Sequence, residues 1–210
     1  MMELLASGRD ADVFALGDHR ILRRLRHGNV STREVDVMCH VADEGYPVPR
    51  VHDVDGPDLV MDRLDGPTMG EAMVDDVDGH AATLAELHDQ LHSLQPPAWL
   101  GEGGAILHMD LHPLNVIMTE VGPYVIDWSN VRAGEAALDV ADTVCVLSAV
   151  SADTVPIPGF PAVRDKLIAV FTRHVAHDPT PWMSRAATAR LRDPNLAEAE
   201  LEVLRRIGHS

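Results

Sequence analysis

Short apolar runs separated by small polar turns fill the first third of the chain, and helical spacing takes over afterwards. Leu4-Leu5, Val13-Phe14-Ala15-Leu16 and Ile21-Leu22 followed by Leu25 are three such runs. Between them lie Ala6-Ser7-Gly8-Arg9-Asp10-Ala11 and Gly17-Asp18-His19, stretches that turn a chain. Three hairpin-connected strands are predicted. Ser31 or Thr32 caps a helix predicted over 33–42, where Val35, Met38, Val41 and Ala42 keep helical spacing. Gly45 ends it, and Pro47 and Pro49 prevent its resumption. Two further strands, 51–54 and 59–64, are predicted across the Asp55-Gly56-Pro57 turn.

Asp65-Gly66-Pro67 is the natural linker. Beyond it the spacing predicts a helix over 81–94 with Leu84, Leu87, Leu91 and Leu94 on one face. A buried helix over 136–150 follows, then a break at Pro156, Pro158 and Pro161, a helix over 162–176, and two helical segments around Asp193-Pro194. The fold class is α+β in two parts: a β-rich lobe over 1–65 and a mostly helical lobe over 66–210.

Charge and composition narrow the class. The chain has 210 residues, 33 acidic against 17 basic, for a net charge of -16. That balance argues against nucleic acid or an anionic membrane surface as partner. Cys39 and Cys145 are the only cysteines and sit in apolar contexts, which predicts buried, reduced thiols. No apolar run approaches the ~20 residues that span a bilayer, so a cytoplasmic location is expected. His88 and His92 are four apart on one helix, a spacing that suits packing and hydrogen bonding better than metal binding without an adjacent Glu.

Chemistry concentrates where two apolar runs, Ile106-Leu107 and Val116-Ile117-Met118, flank a polar turn, and a third, Tyr124-Val125-Ile126, ends on Asp127. Asp110 and Asn115 lie five apart in that turn. Taken singly, such residues are ordinary turn or cap formers. Together they suit phosphoryl transfer: one carboxylate accepts the proton of an attacking hydroxyl, while an amide oxygen and a second carboxylate hold the magnesium of a nucleoside triphosphate.

On His108-x-Asp110-x-x-x-x-Asn115 and Ile126-Asp127-Trp128, the chain resembles the kinase-fold small-molecule phosphotransferases of the aminoglycoside phosphotransferase and choline kinase type. His112-Pro113 inside the loop points to the small-molecule branch. The resemblance implies a bilobal protein-kinase-like fold and ATP and magnesium as cofactors. It also implies a small hydroxylated acceptor, with antibiotics such as aminoglycosides among the candidates. By the same resemblance Asp110 is the catalytic base, or the group that orients the acceptor hydroxyl, Asn115 and Asp127 hold magnesium, and His108 braces the loop. Asp139 buttresses the loop from a following helix. Met61 stands at the entrance to the hinge, where the backbone of Asp62 and Leu64 binds the adenine edge. Glu34 pairs with the basic residue of the third strand, here Arg23, with Arg24 its alternate if the register slips by one. The glycine-rich loop is reduced to Ser7-Gly8. That reduction, and arginine in place of lysine, motivate a rival reading: a nucleotide- or ligand-binding regulatory module on a degenerate kinase fold. The chain is short for this family, which implies a small acceptor or an open site completed by a second copy in a homodimer.

Overall fold

The computed structural model describes residues 2–8, 10–101, 103–150 and 159–209. Five strands, β1 (Glu3–Ser7), β2 (Ala11–Leu16), β3 (Arg20–Leu25), β4 (Val51–Asp55) and β5 (Asp58–Asp62), form one antiparallel sheet in the order β1-β2-β3-β5-β4. Helix α1 (Thr32–Asp43) is inserted between β3 and β4, as the sequence predicts. Its buried side carries Glu34, Val37, Met38 and Val41. Successive helical residues rotate by about 100°, which turns Cys39 away from that side. Cys39 is therefore exposed, contrary to expectation, while Cys145 is buried as expected. Gly45 adopts φ +83° just past the helix and supplies the left-handed turn that stops it.

Strand register decides which arginine faces inward. Arg23 lies opposite Leu59, Ile21 opposite Met61, and these share the sheet face that packs on the core. Arg24 points the other way and pairs with Asp58 at the surface. The segment after β5 is held to the second lobe by backbone. Met118 N donates to Pro67 O at 2.8 Å, and Thr68 bridges Ile117. A side chain at Gly66 would place its Cβ 2.1 Å from Met118 O, so glycine is required there for the close approach.

The second lobe is mostly helical. A short α2 (Met69–Ala72) begins with a reciprocal Thr68–Glu71 capping box. Helix α3 (Val77–Ser93) starts four residues before the predicted point, because the Asp76 carboxylate accepts from Gly79 N and caps it. Two small antiparallel pairs follow: β6 (Ala105–Leu107) with β9 (Arg132–Gly134), and β7 (Val116–Thr119) with β8 (Gly122–Val125). A 3-10 turn over Pro113–Asn115 leads into β7. Helices α4 (Ala136–Ala149), α5 (Phe160–His174), α6 (Met183–Arg190) and α7 (Glu198–Gly208) complete the lobe. Pro156 and Pro158 lie outside the described residues. Pro161 does not break a helix; it sits in the first turn of α5, where its missing N–H costs nothing. The main core runs from α1 through Leu84, Leu91 and Trp128 to Phe171. A second cluster joins Leu107 and Met109 to Ala141 and Cys145 of α4, Ala186 and Ala187 of α6 and Leu204 of α7. Among the described residues no helix is long and apolar enough to cross a membrane.

Candidate active site

The turn between β6 and β7 is fixed from beneath by one buried acid. Asp139, in the first turn of α4, is fully buried. Its Oδ2 accepts from His108 N at 3.1 Å and its Oδ1 from Met109 N at 2.6 Å. His92 Nε2 of α3 donates to Oδ2 at 3.0 Å. Burial alone would raise this carboxyl, but the hydrogen bond and charge of His92 outweigh it and hold the acid at about 2. Met109 sits at φ +64°, a conformation that non-glycine residues rarely adopt. The Asp139 hydrogen bonds hold the backbone in that bend, which presents Asp110 at the turn.

Imidazoles and a hydroxyl extend the bracing. His108 is buried beside Trp128, ring centroids 4.8 Å apart, and its Nε2 donates to Ile126 O at 3.1 Å. That bond ties the Asp110 turn to the strand end that carries Asp127, and Ile126 N in turn donates to Asn115 O at 3.0 Å. Asp127 is itself at φ +64° and accepts from Ser129 Oγ at 2.9 Å. His88 donates Nδ1–H to Leu84 O at 2.9 Å, so its neutral Nε2 accepts from Thr143 Oγ, also at 2.9 Å. Leu111 O, 2.7 Å from the same hydroxyl, competes for that proton. Burial pushes the His88 imidazole down to about 4, which keeps it neutral near pH 7.

Three of the sequence-predicted residues converge at the surface of this frame. Asn115 Nδ2 donates to Asp110 O at 2.9 Å and lies 3.3 Å from Asp110 Oδ2. Its amide nitrogen is thus spent on Asp110, which leaves Oδ1 as the atom available to a cation. Asp110 Oδ1 accepts from Arg190 Nη2 at 3.0 Å, and Arg190 Nη1 donates to Asp142 Oδ2 at 2.7 Å. Burial works to raise the Asp110 carboxyl, yet the His112 imidazole and the Arg190 guanidinium outweigh it and hold it well below the usual carboxylate range. His112 Nε2, at 3.7 Å, is too far for a hydrogen bond, so the aligned Arg190 contact carries much of that attraction. Asp142 shows the opposite balance: burial raises it to about 7 despite Arg190. Neither Arg190 nor Asp142 was singled out from the sequence. The three-residue spacing from Asp139 to Asp142 does put both acids on one helix face, but nothing in the sequence links Arg190 to Asp110.

The sheet and α1 carry other predicted residues. Arg23 Nη1 stands 2.7 Å from Glu34 Oε1, and both side chains are largely buried. The Nε and Nη2 of Arg23 are buried without a hydrogen-bond partner among the described residues. Such orphaned donors on a fixed cation fit an anionic group such as a phosphate. The Ser7-Gly8 turn is differently engaged. Gly8 N donates to Ala11 O at 2.9 Å, while Ser7 Oγ donates to Asp12 and accepts from Arg26. Met61 is buried on β5, and Asp62 N donates to Arg50 O at 3.0 Å. Asp62 and Leu64 border an open hollow of about 540 Å³ with His19 and Thr119. Asp110, Asn115 and Asp127 lie outside it. Among the described residues no three His, Cys, Asp or Glu side chains gather as a metal site. One carboxylate and one amide oxygen nonetheless fit magnesium, which keeps waters and takes its other ligands from phosphates.

Solved structures share this architecture. Aminoglycoside phosphotransferase APH(4)-Ia superposes with a TM-score of 0.69 at 16% identity, over 100% of this chain and 90% of that one. A thermostable mutant of that enzyme, in ternary complex with AMP-PNP and hygromycin B, gives 0.70 at 14% identity, over 99% and 90%. A choline/ethanolamine kinase family protein from Mesorhizobium loti gives 0.61 at 15% identity, over 100% and 86%. These likenesses establish a kinase-like fold. No curated protein sequence matches the chain. Residues 9–138, which hold four of the five sheet strands, the Arg23–Glu34 pair and Asp110, Asn115 and Asp127, match the RIO domain family, and the chain belongs to that family.

Proposed function

We propose that this protein is an ATP- and magnesium-dependent phosphotransferase that phosphorylates a hydroxyl of a small molecule, and that its two lobes divide at residues 65–66. The observation that carries the reading is the joint placement of Asp110, Asn115 and Asp127 on a cross-braced turn, with the under-satisfied Arg23 on the sheet. The AMP-PNP complex of a fold neighbour supports a nucleoside triphosphate as donor.

Magnesium would be held by Asn115 Oδ1 and the Asp127 carboxylate, and would supply charge neutralisation for the triphosphate. Arg23, oriented by Glu34, offers its free Nε and Nη2 to phosphate oxygens. The backbone of Asp62 and Leu64, after Met61, receives the adenine edge. Asp110 orients the acceptor hydroxyl. Its depressed basicity suits orientation and charge stabilisation more than proton abstraction early in the reaction. His108 and Asp139 keep the turn in its bent form, so the contribution to rate is chiefly positioning and electrostatics.

Two observations favour other readings. The RIO domain is a protein kinase-like atypical kinase domain, which makes a protein hydroxyl the second acceptor class. The Ser7 and Gly8 groups are spent on their own hairpin, which favours a nucleotide- or ligand-binding regulatory module without turnover. The test is ATP consumption against a panel of metabolites, antibiotics and protein substrates, run with Asp110→Ala and Asp127→Ala. Each variant is expected to lose about a thousandfold or more in turnover. Wild-type turnover in either variant sinks the mechanism, and nucleotide binding without any turnover favours the module.

A further inference from the structure

Resting on the phosphotransferase reading, we infer that Arg190 is a positioning residue for Asp110, and that the C-terminal helices complete the active site. Arg190 stands in the last turn of α6, outside the 9–138 span that matches the family. Its guanidinium spans two carboxylates, with Nη2 on Asp110 Oδ1 and Nη1 on Asp142 Oδ2. The arginine side chain is only 18% exposed, Asp110 19% and Asp142 2%.

The geometry gives α4 two tasks one helical turn apart. Asp139 holds the backbone of residues 108 and 109. Asp142 anchors Arg190, and Arg190 fixes the side chain that this backbone presents. A carboxylate with one oxygen on a planar fork and the other near Asn115 Nδ2 has lost its rotational freedom before any acceptor arrives. An acceptor hydroxyl then meets a preset oxygen, and misplacement of a reacting group by about 1 Å can cost on the order of a hundredfold. α6 packs on α4 through Ala186, Ala187 and Ala141, so the anchor is built into the helix interface and not added at the surface.

Two variants of the full chain test this: Arg190→Ala paired with Asp142→Asn, so that no buried charge is stranded, and Arg190→Lys. Amide hydrogen exchange read with no nucleotide or acceptor present should quicken at least tenfold at residues 109–115 in the double variant. Exchange in the N-terminal sheet should stay at the wild-type rate. Turnover of magnesium ATP should fall about tenfold to a hundredfold, with KM for ATP unchanged, and Arg190→Lys should recover part of it. Unchanged exchange at 109–115 overturns the inference whatever the activity. So does a variant that turns over as fast as wild type, or faster, as a blocking contact would require. Absence of turnover in the wild type would sink the phosphotransferase reading alone, and the exchange result would still decide the role of Arg190.

Discussion

The sheet and the loop that carries Asp110 are held by different means. The sheet relies on backbone ladders, one buried pair, Arg23–Glu34, and exposed pairs such as Arg24–Asp58 and Arg26–Asp12. Strand β1 is exposed along its whole length. The Asp110 turn is held by a network around it that draws His88 and His92 from α3 and Asp139 and Thr143 from α4, with His108 and Trp128 beside them, all with buried side chains. The contrast teaches where precision is stored. A network in a low-dielectric interior fixes geometry at high cost if any member is lost, whereas an exposed pair is screened and contributes little.

That contrast can be broken most severely at Asp139. Asp139→Ala strands two backbone N–H groups and the His92 imidazole, and should cost about 3–5 kcal/mol in chemical denaturation. Activity should be lost with it, because the Asp139 bonds to His108 N and Met109 N hold the bend that presents Asp110. A smaller effect is expected from His88. Its folded value is depressed from 6.5 to about 4, so the unfolded chain binds the proton more readily. The corresponding stability is fully present above pH 6.5 and is lost as pH falls through 4. Asp142, raised to about 7, works in the opposite sense over the same range. Comparing wild type with His88→Asn at each pH cancels the Asp142 contribution. The stability gap between them should narrow by about 3 kcal/mol between pH 7 and pH 4. At the other extreme, Arg24→Ala removes an exposed pair on the outer sheet face. Its melting temperature should match wild type within the scatter of the measurement, and a large drop would show that the sheet depends on surface charge after all.

Much of this was legible from residue order. Period-two runs and turn residues located the strands, and helical spacing located the helices. The 3-10 turn that carries Asn115 grows from Pro113, and His112 caps it with its ring, Leu114 N lying 3.3 Å from Nδ1. Boundaries failed where a side chain intervened: the Asp76 cap started α3 early, and Pro161 joined a helix it was expected to interrupt. Cys39 has apolar neighbours in sequence yet is exposed, because burial follows the angular position on the helix.

The sequence by itself determined the α+β order of strands and helices, which rests on local periodicity, and it offered Asp110, Asn115 and Asp127 as candidates through their spacing along one short stretch. Only the tertiary structure decided that Arg23, and not Arg24, turns inward, because that choice depends on the register of β3 against β5. It alone brought Arg190 to Asp110 and turned His92 and Thr143 into supports for a turn far away in the chain. Such contacts depend on how helices pack on one another, and packing brings together side chains with no fixed separation in sequence.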